Sequence, residues 1–116
     1  MSDVTIYHNP RCSKSRNTLA LLEEKGVEPE VVLYLETQPD EAEIRALLQK
    51  LDIAASQLVR KGEDEFKASG LDTDSSEDDL IKAMAEFPRL IERPVVVRGN
   101  RAVLGRPPEN VLELLD

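Results

Sequence analysis

Cys12 is the only cysteine among the 116 residues, and Arg11, Lys14 and Arg16 stand close around it. Nearby positive charge favours the thiolate, the form of cysteine that attacks an electrophile. Cys12-Ser13-Lys14-Ser15 has the form C-x-x-S. Serine in place of a second thiol cannot resolve a disulfide, so a redox cycle at Cys12 needs an external thiol. Ser15 can donate a hydrogen bond toward the sulfur, or stand as an ordinary serine in the first turn of a helix. His8 is the one histidine. Folded back toward the sulfur, its imidazolium would favour the thiolate; otherwise it is a solvent-facing loop residue. One histidine and one cysteine supply too few soft ligands for a metal site. The C-x5-R loop of a cysteine-dependent phosphatase does not occur, because Thr18 stands six residues after Cys12 and Arg16 comes too early.

Three arginines far apart in sequence could serve an anion. Arg60 ends a helical stretch in Leu58-Val59-Arg60-Lys61, Arg93 precedes Pro94 at a strand start, and Arg106 precedes Pro107-Pro108. Each falls at an element boundary, where loops gather and sites are built. Guanidinium groups bind tetrahedral oxyanions bidentately. Taken singly each reads equally as a solvated surface base, and spacing alone does not bring the three together. Arg93-Pro94 also admits two readings, a cis peptide bond or a trans proline opening a strand.

The elements that must position these residues follow from local pattern. Val4-Thr5-Ile6-Tyr7 predicts a strand that His8-Asn9-Pro10 breaks. A helix runs from Cys12 or Ser13 to Lys25, with Leu19, Leu21 and Leu22 as apolar residues and Gly26 as its cap. Val31-Val32-Leu33-Tyr34 predicts a second, buried strand, parallel to the first. Pro39 opens a helix in which Ile44, Leu47, Leu48 and Leu51 form one apolar stripe. Short helical pieces follow at Ala55–Val59 and Asp64–Ser69. Ser76 with Asp79 resembles a capping box before a helix faced by Leu80, Met84 and Phe87. Val95-Val96-Val97, a Gly99-Asn100 turn and Ala102-Val103-Leu104 predict a hairpin, and Glu109 to Leu115 a final short helix. The order βαβ, helices, ββα predicts one α/β domain over residues 1–116. Its expected fold is thioredoxin-like, with a helical insertion at about 39–87. In such folds a cis-proline faces the reactive cysteine, which gives Pro94 a candidate place at the site.

Composition narrows the partners. The net charge of −8 disfavours nucleic acid and anionic lipid. No apolar run approaches the ~20 residues of a membrane span. Met1-Ser2-Asp3-Val4 lacks the basic and apolar regions of a signal peptide, and one cysteine excludes an intrachain disulfide framework. A monomer in a reducing cytoplasm is the expectation.

At this point the chain resembles a known family, the glutaredoxin-dependent arsenate reductases. The likeness is carried by Thr5-Ile6-Tyr7-His8-Asn9-Pro10, Cys12, Ser15-Arg16-Asn17-Thr18-Leu19 and Glu28-Pro29. It continues through Leu33-Tyr34-Leu35, Leu58-Val59-Arg60-Lys61, Leu90-Ile91, Arg93-Pro94-Val95-Val96-Val97 and Arg106-Pro107. The resemblance implies a thioredoxin-like fold and reduction of arsenate to arsenite, with glutathione as co-substrate, glutaredoxin as partner and no bound cofactor. It implies Cys12 as nucleophile, His8 as the group favouring the thiolate, and Arg60, Arg93 and Arg106 as oxyanion-binding groups. Two departures, an earlier end at Asp116 and a shorter Arg98-Gly99-Asn100-Arg101 hairpin, point to a chromosomal housekeeping branch. Arg11 and Lys14 fill loop positions where other members carry small or neutral residues.

Two other readings stay open in the sequence. A general glutathione-dependent thiol reductase fits C-x-x-S and needs no oxyanion clamp. A regulator of the Spx type, which shares the fold and binds RNA polymerase without catalysis, fits less well, because many carry a second cysteine where Ser15 stands.

Overall fold

β-Branched residues alternate in burial along the first strand, β1 (Val4–Tyr7): Val4 and Ile6 are buried while Thr5 and Tyr7 are half-buried. This is the period of a strand with one face on a core. The structure is a computed structural model that describes residues 4–60, 62–68, 70–72 and 75–115. The chain gathers into two compact units, Met1–Tyr34 with Arg93–Asp116, and Leu35–Glu92.

The first unit holds a four-stranded sheet of order β2-β1-β3-β4. Strand β2 (Glu30–Val32) runs parallel to β1, with Ile6 opposite Val31. Strand β3 (Val95–Arg98) is antiparallel to β1, with Ile6 opposite Val96. Strand β4 (Arg101–Leu104) closes the hairpin, with Arg98 opposite Arg101. Helix α1 (Ser13–Glu24) follows β1 and ends at Lys25. Gly26 takes φ +79° there, a left-handed conformation that glycine adopts without a Cβ penalty. Leu22 joins Val4, Ile6, Val96, Val111 and Leu114 in the core, and Leu19, Leu21 and Val103 pack against them.

The second strand differs from expectation. It stops at Val32, and its residues are exposed or half-buried, with Val31 43% exposed. β2 is an edge strand paired only with β1, so it has a partner on one side alone. Tyr34 is fully buried, but it opens a helical turn, α2 (Tyr34–Thr37), rather than ending a strand.

The second unit is helical. Asp40, not Pro39, caps α3 (Glu41–Leu51): its side chain accepts the Glu43 N–H at 2.8 Å, as an N-cap carboxylate does. Ile44, Leu47 and Leu48 are buried, and α3 packs on α6 (Glu77–Glu86), where Leu80, Ile81, Ala83 and Met84 are buried. Between them lie α4 (Ala55–Leu58) and α5 (Asp64–Ala68). Ser69, expected as the end of α5, lies outside the described residues. The Ser76 hydroxyl accepts the Asp79 N–H at 3.2 Å and caps α6. A 3-10 turn (Pro88–Leu90) leads to an isolated bridge between Val59 and Ile91. At the chain's far end a 3-10 turn (Pro108–Val111) and α7 (Leu112–Leu115) replace the single helix expected there. No helix among the described residues is long and apolar enough to cross a membrane.

The position of Leu22 sets a stability expectation. It is fully buried between α1 and the sheet, so Leu22→Ala should cost about 2–5 kcal/mol through lost burial and the cavity left behind. Urea unfolding checks this. Leu21→Ala, one position away and only half-buried, should lose clearly less, and equal losses would contradict the packing described.

Candidate functional site

The loop from His8 to Cys12 is built by its own backbone. The His8 N–H donates to Val32 O at 2.9 Å, which ties the loop to β2. The Asn9 side-chain oxygen accepts the Arg11 N–H at 3.0 Å, and the Asn9 carbonyl accepts the Cys12 N–H at 3.0 Å. These bonds make a tight turn that delivers Cys12 to the N-cap of α1, with extended backbone at φ −94°, ψ 123°. The first turn of α1 carries no acidic side chain, so no carboxylate competes for the open N–H groups of the helix start.

Cys12 is half-buried. Desolvation by itself would push its thiol up. The Ser15 N–H, the Arg93 guanidinium and the Lys14 N–H work against it, and the result lies below the ordinary cysteine value. Arg106 adds a second guanidinium: its Nη1 lies 4.0 Å from the sulfur and donates to the Arg93 carbonyl at 3.2 Å. Both arginines immediately precede cis peptide bonds, Arg93-Pro94 and Arg106-Pro107. Pro94 is buried, and its carbonyl accepts the Gly105 N–H at 2.9 Å. The sequence suggested neither the second cis bond nor this cross-link between the two arginine-bearing loops.

The Ser15 hydroxyl has two partners in the loop. It accepts the Asn9 N–H at 3.0 Å and shares a hydrogen bond of 2.7 Å with His8 Nδ1. It is the Ser15 backbone N–H, not the hydroxyl, that favours the thiolate. Ser15 is fully buried, and its hydroxyl fastens the loop that carries His8 and Asn9 to the first turn of α1.

Of the two readings of His8, the solvent-facing loop residue does not hold. His8 is buried, and desolvation, then the charge of Arg16, hold it below the ordinary histidine range. Two guanidinium groups stand at the sulfur, those of Arg93 and Arg106. Asn9 and Thr18, both buried, were not singled out from the sequence. The dipeptide Asn9-Pro10 was the available signal, since asparagine before proline favours a turn closed by its own side chain.

The third predicted arginine, Arg60, belongs to the helical unit. There its Nη1 pairs with Glu92 Oε1 at 2.7 Å and its Nε with Glu63 Oε1 at 3.3 Å. Its backbone N–H donates to Leu90 O at 2.6 Å. Lys61, its neighbour in the resembling motif, lies outside the described residues. Among the described residues no group of three His, Cys, Asp or Glu side chains is placed to hold a metal ion.

Residues 7–114, which include Cys12, Arg93 and Arg106, match a family model described as the ArsC family. The chain belongs to the ArsC family. It is 57% identical to the Escherichia coli K12 protein YfgD over 97% of this chain and 96% of that one. It is 49% identical to an arsenate reductase of Haemophilus influenzae over 97% and 98%. The solved structure of an arsenate reductase from Vibrio cholerae is 52% identical over 95% of each chain, with a TM-score of 0.91. The fold of this ArsC-family chain is accordingly thioredoxin-like.

The buried His8 of this ArsC-family chain, held below the ordinary histidine value, carries a pH signature. An unfolded chain takes up a proton on histidine as pH falls through about 6.5, while the folded chain resists until the lower folded value. Stability should therefore decline with acidification inside that window and level off below it. Chemical denaturation of the protein and of His8→Gln across pH 4–8 checks this, and a decline of equal slope in both would remove His8 as its cause.

Proposed function

We propose that this protein reduces arsenate to arsenite in the cytoplasm, as a monomer. Glutathione is its co-substrate, glutaredoxin its partner, and no cofactor is bound. The reading rests on one observation above the others: the only cysteine is held toward the thiolate with Arg93 and Arg106 at its sulfur. A disulfide substrate needs no pair of guanidinium groups, whereas a tetrahedral oxyanion does. The named arsenate reductases among its relatives support the same substrate.

In the proposed sequence Arg60, Arg93 and Arg106 bind the arsenate oxygens. The Cys12 thiolate attacks arsenic, an As–O bond breaks, and the oxygen leaves as water. Glutathione then adds to arsenic through sulfur, a second As–O bond breaks, and that oxygen leaves as water. Glutaredoxin's thiolate attacks that sulfur, and the electron pair of the As–S bond stays on arsenic, reducing As(V) to As(III). Water displaces Cys12, arsenite leaves, and the two external thiols end as one mixed disulfide. Ser15, which is not a cysteine, leaves this step to external thiols.

Arsenate-dependent NADPH oxidation with glutathione, glutaredoxin and glutathione reductase tests the proposal. Turnover that requires both thiol components is expected. Turnover no higher than that of a Cys12→Ser control would refute it, and turnover unaffected by omitting glutaredoxin would refute the choice of partner.

A further inference from the structure

We infer that Asn110 and Thr18 are positioning residues that aim the Arg106 guanidinium at Cys12. The inference rests on the reading of Cys12 and Arg106 as parts of one anion-facing site. Arg106 follows β4 in a short loop, and a long side chain on a free loop would spend much of its time in solvent. Here the loop is held from three sides. Asn110, on the 3-10 turn after the loop, donates through Nδ2 to Arg106 O at 3.3 Å and to Leu104 O at 3.2 Å. The Gly105 N–H donates to Pro94 O at 2.9 Å. The Thr18 hydroxyl, fully buried on α1, faces Gly105 O at 3.2 Å and Lys14 O at 2.8 Å.

Gly105 shows how closely these parts fit. A Cβ there would lie 2.6 Å from Thr18 Oγ1, 2.8 Å from Pro94 Cγ and 2.9 Å from Thr18 Cγ2. Those distances are too short for any side chain, so only glycine lets the loop sit against α1 and Pro94. The helix whose N-terminus carries Cys12 thus also carries, at Thr18, the surface on which the Arg106 loop rests. Asn110 fixes the carbonyl of Arg106 itself, which leaves the guanidinium a short set of positions over the sulfur. Neither Asn110 nor Thr18 is placed to touch substrate; each acts through Arg106.

The test reads the charge at the sulfur without arsenate. The Cys12 thiolate displaces iodide from both iodoacetate, an anion, and iodoacetamide, which is neutral. The ratio of the two rate constants reports the positive potential at the sulfur. Arg106→Ala should lower that ratio by about fivefold, and Asn110→Ala by about threefold. Thr18→Val, which keeps the side chain's shape, should give a smaller loss in the same direction. Asn110→Ala added to Arg106→Ala should change the ratio no further. A merely structural role would lower thermal stability without this convergence. The inference is overturned if Arg106→Ala leaves the ratio unchanged, if both Asn110→Ala and Thr18→Val leave it unchanged, or if the double variant loses substantially more than Arg106→Ala alone. Absence of arsenate turnover would count against the proposed reaction and leave these ratios untouched, so the two failures are distinguishable.

Discussion

Cys12→Ser is expected to lower arsenate turnover by at least about a thousandfold. A serine hydroxyl at neutral pH is almost wholly protonated, and the donors around position 12 cannot make up that deficit. Were an arsenate ester to form, its oxygen link could not take part in the thiol exchange that returns the enzyme. The loss should therefore fall on turnover with glutathione and glutaredoxin in excess, and more thiol should not rescue it. Folding should be nearly untouched. Cys12 is half-buried and makes no capping hydrogen bond through its side chain, so the variant should unfold within about 1 kcal/mol of the parent. Steady-state kinetics and urea unfolding on the same preparation separate the two effects. A variant that folds normally and keeps a tenth of the activity would remove Cys12 as nucleophile.

Local pattern carried the first part of this site well. The β-branched run at Val4, the break at Pro10 and the cap at Gly26 are short-range signals. They place Cys12 at the start of a helix without reference to the rest of the chain. The Gly99-Asn100 turn did the same for the β3–β4 hairpin, because a two-residue turn fixes register by itself. The apolar stripe of Ile44, Leu47 and Leu48 was equally legible, since a helix repeats its face every few residues.

What the sequence hid depends on long-range pairing or on hydrogen atoms. Val31-Val32-Leu33-Tyr34 has the composition of a buried strand, yet sheet order decides burial, and order is set by where β3 inserts. The convergence of Arg93 and Arg106 needs the β3–β4 hairpin and the Pro94–Gly105 bond, which join residues distant in the chain. His8 was read by its spacing from Cys12 as a candidate cation. Its burial and its bond to the Ser15 hydroxyl make it an anchor of the loop. The two readings of Ser15 missed its partners, His8 Nδ1 and the Asn9 N–H, which only the folded loop brings to its hydroxyl.

Arg93→Ala should have the second large effect, and it should be double. Arg93 is the side chain whose guanidinium favours the Cys12 thiolate both by hydrogen bonding and by charge. It is also one of the three arginines proposed to bind the oxyanion. Loss of one preorganised donor of this kind costs about 10²–10³ in rate, and the nucleophile becomes less ionised as well. The expected result is a fall in kcat/KM of about a hundredfold or more, together with a rise in the pH at which Cys12 alkylation reaches half its plateau. The sign follows from the physics: without Arg93, desolvation, which raises the thiol, meets less opposition. Arg93→Lys separates the two contributions. It keeps a positive charge but not the planar fork, so it should recover much of the alkylation profile and little of the arsenate rate. The Arg93 carbonyl, which accepts from Arg106 Nη1, remains in both variants, so the second guanidinium keeps its support. If Arg93→Ala left the alkylation profile where it is and turnover within about threefold, the thiolate would owe its stability to the helix start and Arg106, and Arg93 would have no part in holding the anion.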